Sequence, residues 1–347
     1  MNLKTVIVVG GSERPCGAAR RGANLTALEL VANRPIVHHV LDRLRSDSDA
    51  GFIFAGDADP LLDLRAGLTE YVPSLERVEY VVSDRRGGVA GALAAAAPLI
   101  GEAACLVQPA DGLLDEPVSP LLETAAKDRS DLMLLVSERY SQMDVLGRVY
   151  DEGRPGCDRE HIVDAALFAP GALGRSADHG RLTGDDLEAV GRRLAAWGVS
   201  VRREPVESWH RYSGSGAELL NLNRVALDRT VRAVPASLLA GNQIDGNVRI
   251  DPTAFVQSST VVGPTVIGPG ATVTDAYIGP YTSIGAGARI QGAEIERSII
   301  SPGASVLNVG SRLTSSLVGR GTRVFRDFSL PRAVRLWVGE GDEVALC

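Results

Sequence analysis

The chain has 347 residues, of which 45% are hydrophobic and 23% charged, with a formal net charge of −7 and a pI of about 5.4. This length and apolar content are enough for more than one domain with a real core. The acidic balance, with no basic run interleaved with aromatic residues, argues against a nucleic-acid partner. No apolar run approaches the length that crosses a membrane.

The N-terminus and the cysteines both indicate a cytoplasmic protein. The opening MNLKTVIVVGG has one lysine and a short apolar run that turns into glycines, so it lacks the length and cleavage site of a signal peptide. The four cysteines are scattered without a CxxC spacing. This pattern predicts reduced thiols rather than a metal site or a set of disulfides.

The stretch at residues 5–15, TVIVVGGSERP, opens the first predicted domain. Its apolar residues Val6–Val9 lead directly into Gly10 and Gly11. A short apolar run that ends in glycines is typical of a buried parallel strand feeding a loop. Such a loop lets backbone N–H groups approach a phosphate, although a tight turn without any ligand gives the same pattern.

Up to about residue 232, short apolar runs alternate with amphipathic ones, which predicts a mostly parallel sheet with helices on both faces. The predicted strands are 51–55, 78–82, 104–107 and 132–136, and the predicted helices are 35–45 and 90–100. Ligands of such sheets bind at the carboxyl ends of the strands. We therefore expect Gly10, Gly11, Gly88 and Asp111 to share one mouth.

From Ile250 the sequence becomes repetitive, with an aliphatic residue roughly every six positions and glycine or small residues between. This hexapeptide period predicts a left-handed parallel β-helix. Some short repeats predict irregular coils, and residues 325–336 are the predicted cap. Because all five histidines precede residue 231, a histidine-dependent acyltransferase site is not expected in the repeat. A scaffold or assembly role is favoured.

Six stretches, taken in order, carry a family resemblance. They are GGSERP at 10–15, LTALELVANRP at 25–35, SDRRGGVAGAL at 83–93, ADG at 110–112, LGRV at 146–149 and RYSGSGAELLNLNR at 211–224. With the repeat that follows, they resemble the motifs of sugar-1-phosphate nucleotidylyltransferases, especially the long form of glucose-1-phosphate thymidylyltransferase. The resemblance covers essentially the whole chain. It implies a Rossmann-like α/β nucleotidyltransferase domain (residues 1–232), a left-handed β-helix (233–330) and a C-terminal tail (331–347).

In that family a sugar-phosphate oxygen attacks the α-phosphate of a nucleoside triphosphate and pyrophosphate leaves. The resemblance therefore implies a dTTP-like triphosphate and a sugar 1-phosphate as partners, with Mg²⁺, lysine and arginine stabilising the developing charge. Carried onto this sequence, it assigns catalysis to Arg14 and Asp111, with Asp111 also a Mg²⁺ ligand. It assigns nucleotide binding to Gly10, Gly11, Ser83 and Gly88. It assigns substrate binding to Gly147 and Tyr212.

The chain departs from the family pattern at its charged positions. The lysine of the second motif aligns with Thr26, the second metal carboxylate aligns with Tyr212 or a close neighbour, and a further family lysine has no counterpart. Lys4 and Lys127 are the only lysines in the sequence, and arginine does not reproduce a point ammonium. Glu13, in the first loop, would repel a triphosphate. These departures put Mg²⁺ binding in doubt.

Three hypotheses for function stay open on the sequence. The first is a working nucleotidylyltransferase with a reworked site. The second is a non-catalytic homologue that acts as a binding or structural subunit, and the third is an enzyme that uses the same cleft for another small metabolite. Asp111 is either a Mg²⁺ ligand or a cap or turn residue, and Tyr212 either closes the pocket or binds a new ligand. The β-helix makes a homo-oligomer the expected state.

Overall fold

The computed structural model describes residues 3–10, 25–45, 51–69, 77–83, 88–140, 159–175 and 182–326. These residues fall into two compact units. The first unit runs to Ser213 without Leu30–Asn33, and the second contains that short segment and the chain from Gly214 onward. The domain bounds at residues 232 and 330 stay a prediction of the sequence.

Helices and strands of the first 230 residues alternate along the chain. The helices in the described ranges are α1 (Ile36–Leu44), α2 (Ala58–Gly67), α3 (Gly88–Ile100), α4 (Val118–Lys127), α5 (Ala172–Arg175), α6 (Leu187–Ala196) and α7 (Gly216–Asp228). The strands there are β1 (Leu3–Val9), β2 (Leu30–Val31), β3 (Arg34–Pro35), β4 (Phe52–Gly56), β5 (Val78–Val82), β6 (Ala104–Pro109), β7 (Gly112–Leu114), β8 (Leu132–Tyr140), β9 (Arg159–Phe168), β10 (Val201–Pro205) and β11 (Trp209–Arg211).

A mixed sheet forms the centre of the first unit. Within the described ranges its strands run in the order β10-β8-β9-β6-β1-β4-β5. Strand β1 pairs in parallel with β4 and β6, β4 with β5, and β8 with β10, whereas β9 runs antiparallel to β6 and β8. The α/β sheet predicted from the alternation of strands and helices is confirmed, and so is the Rossmann-like fold that the resemblance implies.

The apolar run of β1 is buried on both faces of this sheet, as expected of a central parallel strand. On one face Val6 and Val8 belong to a core that includes Leu93 of α3 and Val190 of α6. On the other face Ile7 is fully buried. Each such aliphatic side chain stabilises the fold by about 1.5–3 kcal/mol relative to its exposed state.

Several predicted elements are found with shifted ends. The helix predicted over 35–45 is α1, with Pro35 at its N-cap, and the helix predicted over 90–100 begins at Gly88. The strand predicted over 132–136 continues to Tyr140. The ribbon of β7 and β11 was not predicted, because strands of three residues are too short to show an alternation.

The second unit is a β-helix. Its described strands form three parallel sheets of five strands each. One stacked column runs through Ile250, Ile267, Ile284, Ile300 and Val318, so successive coils take 17, 17, 16 and 18 residues. The predicted left-handed β-helix and its irregular coils are confirmed, whereas most of the predicted cap lies outside the described residues.

Fifteen short strands build these coils in the described part of the chain. They are β12 (Gln243–Asp245), β13 (Val248–Ile250), β14 (Phe255–Gln257), β15 (Thr260–Val262), β16 (Thr265–Ile267), β17 (Thr272–Thr274), β18 (Tyr277–Ile278), β19 (Thr282–Ile284), β20 (Arg289–Gln291), β21 (Glu294–Glu296), β22 (Ile299–Ile300), β23 (Ser305–Leu307), β24 (Leu313–Thr314), β25 (Leu317–Val318) and β26 (Arg323–Phe325).

One corner of the coil explains the glycines of the repeat. Gly270, Gly287, Gly303 and Gly321 have φ between +63° and +71°. Glycine adopts this left-handed conformation without the steric penalty that a Cβ brings. None of the helices in the described ranges is long and apolar enough to cross a membrane.

Candidate functional site

The strand order of the first unit reverses between β1 and β6. From β1 the chain continues through β4 and β5 on one side, and then places β6 on the other side of β1. In α/β sheets the crevice outside the carboxyl ends of the strands, at such a switch point, is the usual ligand site. Gly10 lies just beyond β1 and Asp111 just beyond β6. The N–H of Ala110 donates to the carbonyl of Val8 at 3.0 Å, which ties the two strand ends together.

Ser83 lies at the same edge of the sheet, just beyond β5. It is buried, and its N–H donates to the carbonyl of Gly56 at 2.8 Å. Gly10 is exposed and has a φ of +80°, and a Cβ at this position would come no closer than 3.6 Å to Pro60. The backbone angle rather than crowding therefore accounts for this glycine. Three predicted positions, Gly10, Ser83 and Asp111, thus lie along one edge of one sheet.

Gly88, a predicted nucleotide-binding residue, begins α3. A Cβ on Gly88 would lie only 2.6 Å from the Cα of Asp185. The N–H groups of Val89 and Ala90 donate to the carbonyls of Asp185 and Gly184 at 3.3 and 3.0 Å. Close packing of this neighbouring loop gives the glycine a structural explanation, and its role with a nucleotide stays a prediction.

Of the remaining predicted residues, only Tyr212 lies in the described part of the chain. Gly11, Arg14 and Gly147 lie outside the described residues. Tyr212 is half-buried, and its N–H donates to the carbonyl of Asp111 at 3.2 Å. Tyr212 therefore lies next to Asp111, and its role with a substrate stays a prediction.

Both carboxylate oxygens of Asp111 have partners. Oδ2 accepts a hydrogen bond from the Thr26 hydroxyl at 2.6 Å, and Oδ1 accepts one from Nε of Arg211 at 3.1 Å. Asp111 is only 6% exposed, and the Arg211 side chain is 22% exposed. An ion pair with this little solvent is screened far less than one on the surface.

Local structure explains why Arg211 reaches Asp111. Strand β11 pairs antiparallel with β7, which sets Arg211 directly opposite Gly112, the residue after Asp111. A Cβ on Gly112 would lie 2.4 Å from the ring of Trp209, so glycine permits the close approach of the two strands. The buried Gln108 side chain donates to the carbonyl of Gly112 at 2.9 Å and holds the turn after β6.

Arg211 is the site residue that the sequence did not single out. It begins the last of the family stretches and directly precedes Tyr212. One signal was available: a cation stands next to the position where the family has a metal carboxylate. A cation beside the position of a lost carboxylate can pair with the carboxylate that remains, which is Asp111.

The arrangement at Asp111 does not fit a divalent cation. Mg²⁺ takes one or two carboxylates as ligands, but here a hydroxyl holds one oxygen of Asp111 and a guanidinium holds the other. The positive charge of Arg211 opposes a second cation at that distance. Throughout the described ranges, no group of three or more His, Cys, Asp or Glu side chains is placed to hold a metal ion.

Two asparagines of the family stretches have structural roles in the second unit. The Oδ1 atom of Asn223, on α7, accepts from the N–H of Ala32 at 2.8 Å and from the hydroxyl of Ser283 at 2.6 Å. Its Nδ2 donates to the carbonyl of Tyr281 at 3.1 Å, and the Nδ2 of Asn33 donates to that of Ile284 at 2.6 Å. These side chains satisfy backbone groups in the second unit.

Similarity to known proteins is found among solved structures. No family model matches the chain, and no curated protein matches it. Among solved structures, the chain is similar to a protein from Bacillus anthracis described as a glucose-1-phosphate thymidylyltransferase in complex with a sucrose. The identity is 16%, the TM-score is 0.49, and the match covers 67% of this chain and 98% of that chain. A likeness of this size says nothing about activity or ligand.

Proposed function

We propose that the first unit binds a nucleoside triphosphate or a sugar 1-phosphate at the carboxyl edge of its sheet, as a non-catalytic protein of the nucleotidyltransferase type. The observation that carries the proposal is the position of Gly10 and Asp111 on either side of the switch point between β1 and β6. The exposed backbone at Gly10 suits a phosphate oxygen.

The order of the family stretches supports the choice of ligand. In this proposal Gly10, Gly11, Ser83 and Gly88 contact the nucleotide, and Gly147 and Tyr212 contact the sugar. The proposal also assigns phosphate contact to Arg14, as the resemblance implies. The β-helix assembles a homo-oligomer in the cytoplasm. Binding without turnover is favoured because both Asp111 oxygens are held by Thr26 and Arg211.

A working nucleotidylyltransferase is the second candidate. It is favoured by the retained carboxylate of Asp111 at the end of β6, where a metal ligand would be useful. It requires Arg211 to leave Asp111, because the guanidinium charge opposes a second cation there. The third hypothesis, another small metabolite in the same cleft, has the same binding edge and differs only in its ligand.

Binding is tested by isothermal titration calorimetry with each nucleoside triphosphate and with glucose 1-phosphate. We expect saturable binding of at least one, weakened several-fold by Gly10→Ala because a side chain at φ +80° shifts the loop. Gly241→Ala is the matched control, since Gly241 has a φ of +77° and no other atom near a Cβ. Equal binding by wild type and Gly10→Ala would place the ligand elsewhere. Failure of the whole panel would overturn the proposed ligand class.

Turnover is tested separately by pyrophosphate release with Mg²⁺, glucose 1-phosphate and each nucleoside triphosphate. The non-catalytic proposal predicts no release from folded protein. Release that Asp111→Ala abolishes would establish the second candidate instead.

A further inference from the structure

The positive charge beside Asp111 belongs to the protein itself. Arg211 donates from Nε to Oδ1 at 3.1 Å, and Thr26 donates to Oδ2 at 2.6 Å. The aspartate side chain is 8% exposed and that of the arginine 22%. The ribbon of β7 and β11 fixes the pair, because it sets Arg211 opposite the residue that follows Asp111.

A divalent cation at Asp111 would have to share the carboxylate oxygens with these partners. It would also meet the guanidinium of Arg211 at contact distance in a site of low solvent access, where the two positive charges repel each other strongly. If the cation displaced Arg211 from Asp111, the arginine charge would remain half-buried without its counter-ion, which is costly. The repulsion from Arg211 and the cost of leaving Arg211 without a counter-ion therefore both oppose metal binding at Asp111.

We infer that Arg211 is a built-in counter-cation that takes the place of a divalent metal at Asp111, so that this site acts without a metal ion. The inference does not require that the first unit bind a nucleotide. It concerns whether the Asp111 carboxylate is available to a metal ion, which a metal probe reads directly.

The length of the Arg211 side chain suggests a substitution that tests this inference. In glutamate, the carboxylate oxygens are separated from Cα by the same number of bonds as Nε in arginine. The substitution Arg211→Glu therefore brings a carboxylate oxygen close to the present position of Nε, beside Oδ1 of Asp111. Two carboxylates at this spacing repel each other and form the kind of oxygen pair that divalent cations bind.

The experiment measures Mn²⁺ binding through the loss of the free-ion electron paramagnetic resonance signal. We expect no saturable binding at Asp111 in the wild type. In Arg211→Glu we expect saturable binding, with an affinity at least about tenfold above the upper limit measured for the wild type. The gain should disappear in the double variant Arg211→Glu/Asp111→Asn. The matched control is Arg203→Glu, which reverses the charge of an exposed arginine paired with Glu188. It should show no comparable gain, because exposed carboxylates are hydrated and mobile.

Two results would overturn the inference. One is saturable Mn²⁺ binding by the wild type that Asp111→Asn removes. The other is unchanged Mn²⁺ binding in Arg211→Glu, with folding confirmed by circular dichroism. If Arg211→Glu does not fold, Arg211→Gln replaces it, since it removes the charge and keeps a hydrogen-bonding group in reach of Asp111. A lack of gain in that folded variant counts equally against the inference.

Discussion

The hydroxyl of Thr26 donates to Oδ2 of Asp111 across 2.6 Å, although the two residues are 85 positions apart in the chain. Thr26 aligns with the lysine of the second family motif, so a neutral donor now stands where the resemblance expects a cation. Thr26 and Arg211 together supply a hydrogen-bond donor to each carboxylate oxygen of Asp111. These contacts stabilise the turn after β6 whether or not a ligand binds.

Replacing this hydroxyl should destabilise the first unit. Thr26→Val keeps the shape and removes a hydrogen bond to a nearly buried carboxylate, and such bonds are worth about 1.5–3 kcal/mol. Urea unfolding, monitored by circular dichroism, measures the decrease in the free energy of unfolding. The control is Thr124→Val, because the Thr124 hydroxyl donates to a neutral carbonyl at an exposed site. Equal unfolding free energies for Thr26→Val and wild type would show that the contact contributes nothing.

The close approach of β7 and β11 should not tolerate a methyl group. In Gly112→Ala the new Cβ would lie 2.4 Å from the Trp209 ring, so the ribbon must shift. Overpacking of this kind costs about 1–3 kcal/mol. The melting temperature should fall, and the indole fluorescence of the protein should change. Gly174→Ala is the matched control, since nothing lies within 4 Å of its Cβ. A Gly112→Ala variant as stable as that control would contradict the prediction.

In the second unit, Asn223→Ala should be strongly destabilising. The side chain is 1% exposed and makes hydrogen bonds with Ala32, Ser283 and Tyr281. Its removal leaves buried groups unpaired, at a cost of about 2–4 kcal/mol. Hydrogen exchange should show lost protection around Ala32. Arg224→Ala, on the same helix with a side chain that is 48% exposed, should stay near wild type. If the two variants unfold together, the buried network has no special role.

The stability of the first unit should depend on pH through His38. Burial of the imidazole, with the charge of Arg34 close by, lowers the pKa of His38 below its ordinary 6.5. Above the unfolded pKa the imidazole is neutral in both states and has no effect. As the pH falls below it, the unfolded chain takes up a proton that the folded chain does not, so the free energy of unfolding decreases.

The substitution His38→Gln tests this dependence. Denaturant unfolding at several values between about pH 7 and about pH 5 gives the slope of stability against pH. The variant should lose less stability than the wild type as the solution becomes acidic. Parallel slopes for the two proteins would mean that His38 does not supply the effect.

The sequence by itself determined the two architectures, because both depend on local periodicity. The apolar run before Gly10 and Gly11 reads as a central parallel strand since burial on both faces demands continuous apolar residues. The hexapeptide repeat reads as a β-helix since each coil needs an inward aliphatic residue and a corner. Position at a strand end also follows from sequence order, which is why Gly10 and Asp111 were expected at one edge.

Only the tertiary structure decided the chemistry of that edge. The partners of Asp111 come from 85 and 100 positions away in the chain, and no local pattern encodes which side chain meets which across such separations. Strand β11 is too short to be seen as a strand, yet its register against β7 delivers Arg211 to Asp111. The sequence could show that lysines were missing. The fold was needed to show that an arginine and a threonine hold the remaining carboxylate, because long-range pairing sets the charge balance of a site.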